Sequence, residues 1–446
     1  MGNVVYSTEF MKKEKLNILW LRRDLRLEDN AAAWHALKSA NPVLVIFIFD
    51  RNILDKLNNR GDARVSFIHL ELQRISMQLK NYGSRLLTFY DTPMQVWKKI
   101  IEQFDVKEVF ANRDYEPYAI ARDKEIYELL NSAGIKFHGS KDHVIFEKSE
   151  IMKDDGSPYT VYTPYSKKWK SKINDFYLKS YPSEKYFSRF HKTSFSAIHA
   201  LEEMNFKHPI EQEFPDRTFN EKIIGKYAET RDFPAVAGTS KLSLHLRFGT
   251  ISIRELVRFA MERNEKYLNE LIWREFYQMI LFHFPHTGEK SFKPAYDRIT
   301  WENDEKKFKL WCEGQTGYPM VDAGMRELNS TGYMHNRVRM VVASFLTKHL
   351  LIDWRWGEAY FAEKLLDYEM ASNVGGWQWS AGCGCDAAPY FRVFNPASQA
   401  EKFDADGIYQ RKWIPELGTM QYPGPIVDHK TSREKCLKVY KQALLA

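Results

Sequence analysis

Within Asn269-Glu270-Leu271-Ile272-Trp273-Arg274-Glu275-Phe276-Tyr277, the residues Glu270, Trp273, Arg274 and Tyr277 stand at i, i+3, i+4 and i+7, the spacing of one helical face. A carboxylate, an indole and a guanidinium on one stripe suit a planar ligand, which the indole can stack on and the charges can hydrogen-bond. An i,i+4 Glu270–Arg274 surface pair beside a core Trp accounts for the same residues. Gly238-Thr239-Ser240-Lys241-Leu242-Ser243 precedes an apolar helix pattern. Its hydroxyls and the free N–H groups of a helix start could receive phosphate oxygens, or they could simply cap the helix. In His335-Asn336-Arg337-Val338-Arg339-Met340, Asn336 and Met340 share a face while Arg337 and Arg339 turn elsewhere, one suited to a phosphate backbone and the other to a buried carboxylate. Asp367 and Glu369 lie close to Asn373 and ahead of Trp377 and Trp379. Acids beside indoles fit a cofactor pocket, and they equally fit surface acids next to core tryptophans.

These residues need elements to hold them. From Leu16 to about His138, strand-length apolar runs alternate with helix-period segments. Leu16–Trp20, Val43–Phe49, Arg85–Tyr90, Glu108–Ala111 and Ile135–His138 read as strands; Ala31–Ser39, Arg64–Asn81, Met94–Phe104 and Ile120–Ser132 read as helices. The alternation predicts an α/β domain over 14–143, a doubly wound parallel five-stranded sheet covered on both faces. The turn after the first strand is Leu21-Arg22-Arg23-Asp24, not a Gly-x-Gly-x-x-Gly turn, which disfavours a simple dinucleotide-binding dehydrogenase. Residues 144–220 lose the period and read as a connector over the surface, with the aromatic and Lys-rich run Tyr162-Thr163-Pro164-Tyr165-Ser166-Lys167-Lys168-Trp169-Lys170. Helix-period segments recur over 221–446 (Ile251–Asn264, Leu268–Phe284, Val321–Leu328, His335–Leu351, Trp356–Asp367), so the larger second domain is expected to be all-α. Residues 1–13 read as a leader outside the fold.

Composition narrows the class. With 65 Lys+Arg against 58 Asp+Glu, the net charge of +7 is mildly favourable to a polyanion partner. Aromatics make up 15% of the chain, including 12 Trp, more than an ordinary core needs, which points to stacking or electron transfer. The longest apolar run, Val43–Phe49, is far short of the ~20 residues of a bilayer span, so no membrane partner is expected. Four cysteines at irregular spacing make neither a disulfide framework nor a metal site, and they suggest the reducing cytoplasm.

Taken in chain order, a series of motifs resembles the photolyase/cryptochrome family, most closely class I cyclobutane pyrimidine dimer photolyases, from Leu16 to about Lys430. The series is Trp20-Leu21-Arg22-Arg23-Asp24-Leu25-Arg26, Tyr227 with Arg231-Asp232-Phe233-Pro234 through Ser243, the Asn269–Tyr277 segment, Thr316-Gly317-Tyr318-Pro319, Met334–Met340, and Gly375-Gly376-Trp377-Gln378-Trp379 through Asn395-Pro396. The resemblance implies an antenna domain followed by a helical domain that holds folded FAD, reduced and anionic when active, beneath a DNA cavity. It implies a monomeric lyase that repairs cyclobutane pyrimidine dimers in UV-damaged DNA by light-driven electron transfer from FAD to a flipped dimer.

By the same resemblance, Tyr227, Thr239, Ser240, Leu242 and Ser243 look like contacts to FAD phosphate and ribitol, and Arg274 like a flavin-site residue. Arg339 and Asp367 look like the ion pair beside the isoalloxazine. Asn373 looks like the residue facing its N5 atom, where plant-type cryptochromes carry Asp. Glu369, also implied at the flavin, stands where relatives often have Asp. Glu270, Trp273, Asn336, Met340 and Trp379 look like the lesion pocket, with Glu270, Asn336, Met340 and Asn373 implied in the chemistry; (6-4) photolyases place histidines at the positions of Asn336 and Met340. Arg231, Arg337, Arg392 and Gln399 resemble DNA contacts. Trp377, Trp354 and Trp301 match the family's electron-transfer chain. Tyr333 replaces a Trp, and Cys383 and Cys385, where relatives often have Thr, read as small buried hydrophobes. Tyr118 and Ala119 stand where folate-antenna members have Asn and Glu, so a second chromophore is open between folate, deazaflavin, another flavin and none. Two rivals remain at this stage: a blue-light-sensing cryptochrome that signals through flavin photoreduction, and a nucleic-acid-binding protein without cofactor.

Overall fold

Continuous apolar runs rich in Val, Ile and Phe suit strands buried on both faces, and β2 (Val43–Asp50) is buried at every residue. With β1 (Lys15–Leu21), β3 (Leu86–Asp91), β4 (Asp105–Asn112) and β5 (Lys136–Ser140) it forms a parallel sheet of order β3-β2-β1-β4-β5. The chain steps outward from β1 to β3 and returns to β4 beside β1, the doubly wound order expected from the alternation. Helices Ala31–Lys38, Ala63–Lys80, Pro93–Gln103 and Pro117–Ser132 make the crossovers. Asn30 and Asp62 cap two of them by accepting from Ala33 N and Arg64 N.

The computed structural model describes residues 14–208 and 213–445; the leader reading falls on residues 1–13, outside that range. Tertiary contacts divide the described chain into two units, one of 14–114, 118–142 and 181–208 and one of 115–117, 143–180 and 213–445. The 144–220 segment expected as a connector is thus shared between them, and it is not featureless. Tyr162–Lys172 is a helix that buries Tyr165, Ser166 and Trp169. Interleaved lysines hide that i, i+1, i+4 apolar pattern in the sequence, and Pro164 is tolerated because it lies in the first turn.

In the first unit the Arg22-Arg23-Asp24 turn is a hydrogen-bonded knot. The Asp24 carboxylate accepts from Arg22 N at 2.7 Å, Asn112 Nδ2 at 2.7 Å and Asn30 Nδ2 at 3.2 Å. It thereby joins the ends of β1 and β4 to the start of the first helix. Burial is the largest influence on Asp24 and raises its carboxyl from 3.8 to about 6, against the lowering effect of the Arg22 hydrogen bond and charge. The folded chain therefore holds a proton that the unfolded chain releases near pH ~4. Stability from this group is complete below that pH and is lost as pH rises through about 6, a loss of about 3 kcal/mol. The difference between the unfolding pH profiles of wild type and Asp24→Asn is expected to show this decline, and parallel profiles would refute it.

The second unit is helical around two cores. One gathers Trp311, Val338, Phe345, Trp354, Phe361 and Trp377; the other gathers Tyr165, Trp169, Leu256, Ile272 and Phe276. Asp322, fully buried, closes the Thr316-Gly317-Tyr318-Pro319 turn by accepting from Thr316 N, Thr316 Oγ1, Gly317 N and Tyr422 OH. Cys383 is buried in the first of these cores, as a small hydrophobe would be, and Cys385 packs part-buried against the second. Among the described residues no helix is long and apolar enough to cross a membrane.

Candidate functional site

The helix Glu265–His283 starts at Asn264, whose side chain accepts from Tyr267 N at 3.1 Å. It carries the Glu270, Trp273, Arg274, Tyr277 stripe, and the surface pair that the spacing allowed does not form. Arg274 donates to Glu369 Oε1 at 2.8 Å and to the His143 carbonyl at 2.8 Å. Glu270 instead accepts from Arg231 Nη1. Burial pushes the Glu270 carboxyl up, opposed by the Arg231 charge. The Trp273 indole packs between Tyr162, Phe276 and Tyr277.

Tyr267, one step before Glu270 on the same stripe, was not singled out by sequence reasoning; the i−3 spacing was the available signal. Its hydroxyl lies 2.8 Å from Ser240 Oγ, and its ring meets Tyr227 edge to face at 5.1 Å. This draws Tyr227 and the Thr239–Ser243 segment to the helix. The capping alternative for that segment fails, because the short helix Ser243–Phe248 has Leu242 at its cap position and no side-chain cap bond. Ser243 Oγ is exposed and lies 3.2 Å from Tyr333 OH, which donates to the Lys241 carbonyl at 2.9 Å. Lys241 sits at φ +53°, an unfavourable conformation for a residue with a side chain. A Cβ on Gly238 would collide with Thr230, so only glycine allows the segment to pass there.

Helix Asn336–Ser344 places its arginines on different partners. Arg339 Nη2 donates to both oxygens of Asp367, at 3.0 and 3.1 Å, and its Nε donates to the Met334 carbonyl at 2.8 Å. The Asp367 side chain is only 5% exposed. Arg337 pairs with Asp232 at 2.7 Å, and its guanidinium lies 4.3 Å from the Phe403 ring centre. Asn336 is exposed in the first turn, and Met340 Sδ lies 3.9 Å from Arg337 Nη1. His335 caps the helix, with its Nδ1 accepting from Arg337 N at 3.2 Å. Burial lowers its pKa to about 4, so it is neutral near pH ~7 and must carry its proton on Nε2, a buried donor without a partner.

Helix Met370–Ala381 holds Asn373, Trp377 and Trp379. Asn373 Nδ2 donates to Glu358 Oε1 at 3.0 Å and to the Glu358 carbonyl at 3.2 Å, which leaves Asn373 Oδ1 facing outward as an acceptor. Glu358 carried no sequence signal, since it is an acid on an amphipathic helix like any other; burial raises its carboxyl. The Glu369 carboxylate accepts from Arg274, Gln278 and Ser372, so this side chain and Arg274 hold each other in place. Trp377 and Trp354 are buried in one core, with Trp301 part-buried against it. A Cβ on Gly357 would overlap the Trp377 ring, so that glycine sets how closely the helix Trp354–Lys364 approaches. Arg392 is exposed, while Gln399 Oε1 is buried without a partner among the described residues. Trp379 is part-buried, tilted against Phe394 at 6.5 Å.

Gly376, on the Met370–Ala381 helix, is exposed. A Cβ added at Gly376, one turn beyond Asn373, would meet no atom within 4 Å. Together with hydroxyls at a strained turn, an outward amide oxygen and a guanidinium locked on a buried carboxylate, this suits a large guest with phosphates and a flat polar ring.

Residues 17–184 match the family model described as DNA photolyase, and residues 267–421 match the one described as the FAD binding domain of DNA photolyase. A deoxyribodipyrimidine photo-lyase from a Synechococcus species is 37% identical over 95% of this chain and 96% of its own. The chain belongs to the photolyase/cryptochrome family. The fold agrees across the family. A bacterial class III photolyase from Agrobacterium tumefaciens matches 99% of this chain and 100% of its own at 34% identity and a TM-score of 0.86. An archaeal photolyase from Sulfolobus tokodaii with two FAD molecules matches 96% of this chain and 100% of its own at 33% identity and a TM-score of 0.80. FAD is accordingly the cofactor of this photolyase/cryptochrome chain.

Proposed function

We propose that this chain is a deoxyribodipyrimidine photo-lyase that opens cyclobutane pyrimidine dimers in UV-damaged DNA. The observation that supports the reading is that the Arg274–Glu369 and Arg339–Asp367 pairs tie the helices Glu265–His283 and Asn336–Ser344 to the short segment leading into the Asn373 helix. Bound FAD supplies the light-excited electron that splits the dimer. Tyr227, Thr239, Ser240, Leu242 and Ser243 hold its phosphates and ribitol; Arg339, anchored by Asp367, offers positive charge to an anionic ring. Asn373 Oδ1, fixed by the grip of Glu358 on its amide nitrogen, would accept from an N–H of the reduced ring. Trp273 and Trp379 flank the extruded bases, and Glu270, Asn336 and Met340 complete the pocket. Arg231, Arg337, Arg392 and Gln399 serve the DNA, the arginines by neutralising phosphates. Trp377, Trp354 and Trp301, packed in or against one core, would relay electrons toward the cofactor when it is oxidised.

Arg231 is paired with Glu270, and a phosphate that drew it away would free the carboxylate for base edges. The same reading takes the protein as a monomer in the cytoplasm with access to DNA. Its cysteines are free thiols, in keeping with a reducing compartment. A second chromophore is proposed for the first unit, at the carboxyl ends of the strands beside the β1–β4 reversal, the usual ligand position of a doubly wound sheet.

UV-treated oligothymidine, incubated with protein whose flavin is fully reduced, is expected to regain thymine absorbance under blue light and not in the dark. No recovery would reject the lyase in favour of a light-sensing cryptochrome.

A further inference from the structure

The aromatic and lysine-rich run that opens the Tyr162–Lys172 helix reads in the sequence as surface connector, yet its first residue lies face to face with Trp273. The two ring centres are 3.7 Å apart and the planes differ by 5°. Tyr162 is held at both ends. Its backbone N–H donates to Asp386 Oδ2 at 3.0 Å, and its hydroxyl donates to the Asn269 carbonyl, the residue before Glu270, at 3.0 Å. Burial and the nearby Glu270 charge raise the phenol, so it remains a donor. Phe276 closes the third side, edge-on to Trp273 at 5.6 Å and to Tyr162 at 6.0 Å.

We propose that Tyr162 is a positioning residue for lesion recognition: it sets the plane in which Trp273 meets the extruded dinucleotide. This deepens the repair reading and rests on it. An indole on a helix surface has two torsions free to turn, and a wedge that must slide against a flat pair of bases loses affinity for every orientation it samples. One face of Trp273 is therefore committed to the Tyr162 ring, and the part-buried indole meets the guest with the surface that Phe276 and Tyr277 leave uncovered. Because Tyr162 acts on the wedge and not on phosphates, its contribution belongs to the damaged site alone. The anchor through Asp386 further ties the indole plane to the loop that follows the Met370–Ala381 helix.

The test is equilibrium binding of holoenzyme to an oligonucleotide duplex with one thymine dimer and to its undamaged twin, with the quantum yield of repair of bound substrate as a second readout. Tyr162→Leu is expected to weaken binding of the dimer duplex about fivefold or more, from loss of one stacked aromatic pair, with undamaged binding and bound-state yield unchanged. Tyr162→Phe, which keeps the ring and its backbone anchor on Asp386 and loses only the hydroxyl bond to Asn269, is expected to retain most of the wild-type selectivity. Asp386→Ala, which frees the backbone anchor, is expected to lose selectivity in the same direction and decides the matter if Tyr162→Leu does not fold. Equal weakening for both duplexes, unchanged selectivity in Tyr162→Leu, or a Tyr162→Phe that behaves like Leu would overturn the role. A wild type without preference for the dimer would instead overturn the repair reading.

Discussion

An Arg339→Ala protein is expected to leave purification nearly free of flavin. The Asp367 carboxylate is almost wholly shielded from water, and both its oxygens face Arg339 Nη2. Removing the guanidinium leaves a buried charge uncompensated, a change that costs about 3–5 kcal/mol. It also leaves the Met334 carbonyl without its Nε donor. With the positive charge offered to the anionic ring lost as well, FAD affinity is expected to fall at least about 100-fold, the equivalent of roughly 3 kcal/mol. Titration of the apoprotein with FAD, followed by flavin fluorescence, measures this. Arg339→Lys keeps the charge but loses the planar fork, and it should recover only part of the affinity. An Arg339→Ala protein with wild-type FAD affinity would show that the pair plays no part in holding the cofactor.

The second large effect is structural. Glu275 sits between Arg274 and Phe276 and points away from the candidate site. Its buried carboxylate accepts from Ile145 N at 2.7 Å, Phe146 N at 3.1 Å, Trp169 Nε1 at 2.6 Å and Tyr165 OH at 3.4 Å. One side chain thus binds the Ile145–Phe146 strand of chain and the Tyr162–Lys172 helix to the Glu265–His283 helix. Glu275→Ala strands several buried donors at about 1–3 kcal/mol each, so a loss of at least about 4 kcal/mol is expected in denaturant unfolding of the second unit. Glu275→Gln should recover little, because its amide nitrogen turns a donor toward donors. A midpoint shift no larger than that of an average surface substitution would refute the assignment. The same bonds position Tyr162, so lesion selectivity is expected to decline with stability in this variant.

The strands and crossover helices of the first unit were legible because both faces of the sheet are covered, so the run Val43–Phe49 is apolar without interruption and Leu16–Trp20 is broken only by Asn17, and neither needs a partner to be recognised. The stripe on Glu265–His283 was legible for a similar reason: a helix puts i, i+3, i+4 and i+7 side by side whatever lies opposite. What such a stripe cannot disclose is the partner. The spacing alone allowed Glu270 to bond Arg274, but each found a better-placed opposite charge elsewhere in the chain, Arg231 and Glu369. Glu358 and Tyr162 escaped altogether, since an acid on an amphipathic helix and a tyrosine in a lysine-rich run are ordinary until the residues they serve, Asn373 and Trp273, are brought against them.

By itself, then, the chain's residue order determined the doubly wound sheet and the helical second unit, because those follow from local periodicity, and its ordered motifs carried the resemblance to the family. Tertiary structure alone decided which charges neutralise one another, which amide edge of Asn373 faces outward and which ring braces Trp273, because each depends on segments as much as 224 residues apart meeting where water is excluded and a misplaced charge or donor has no other partner.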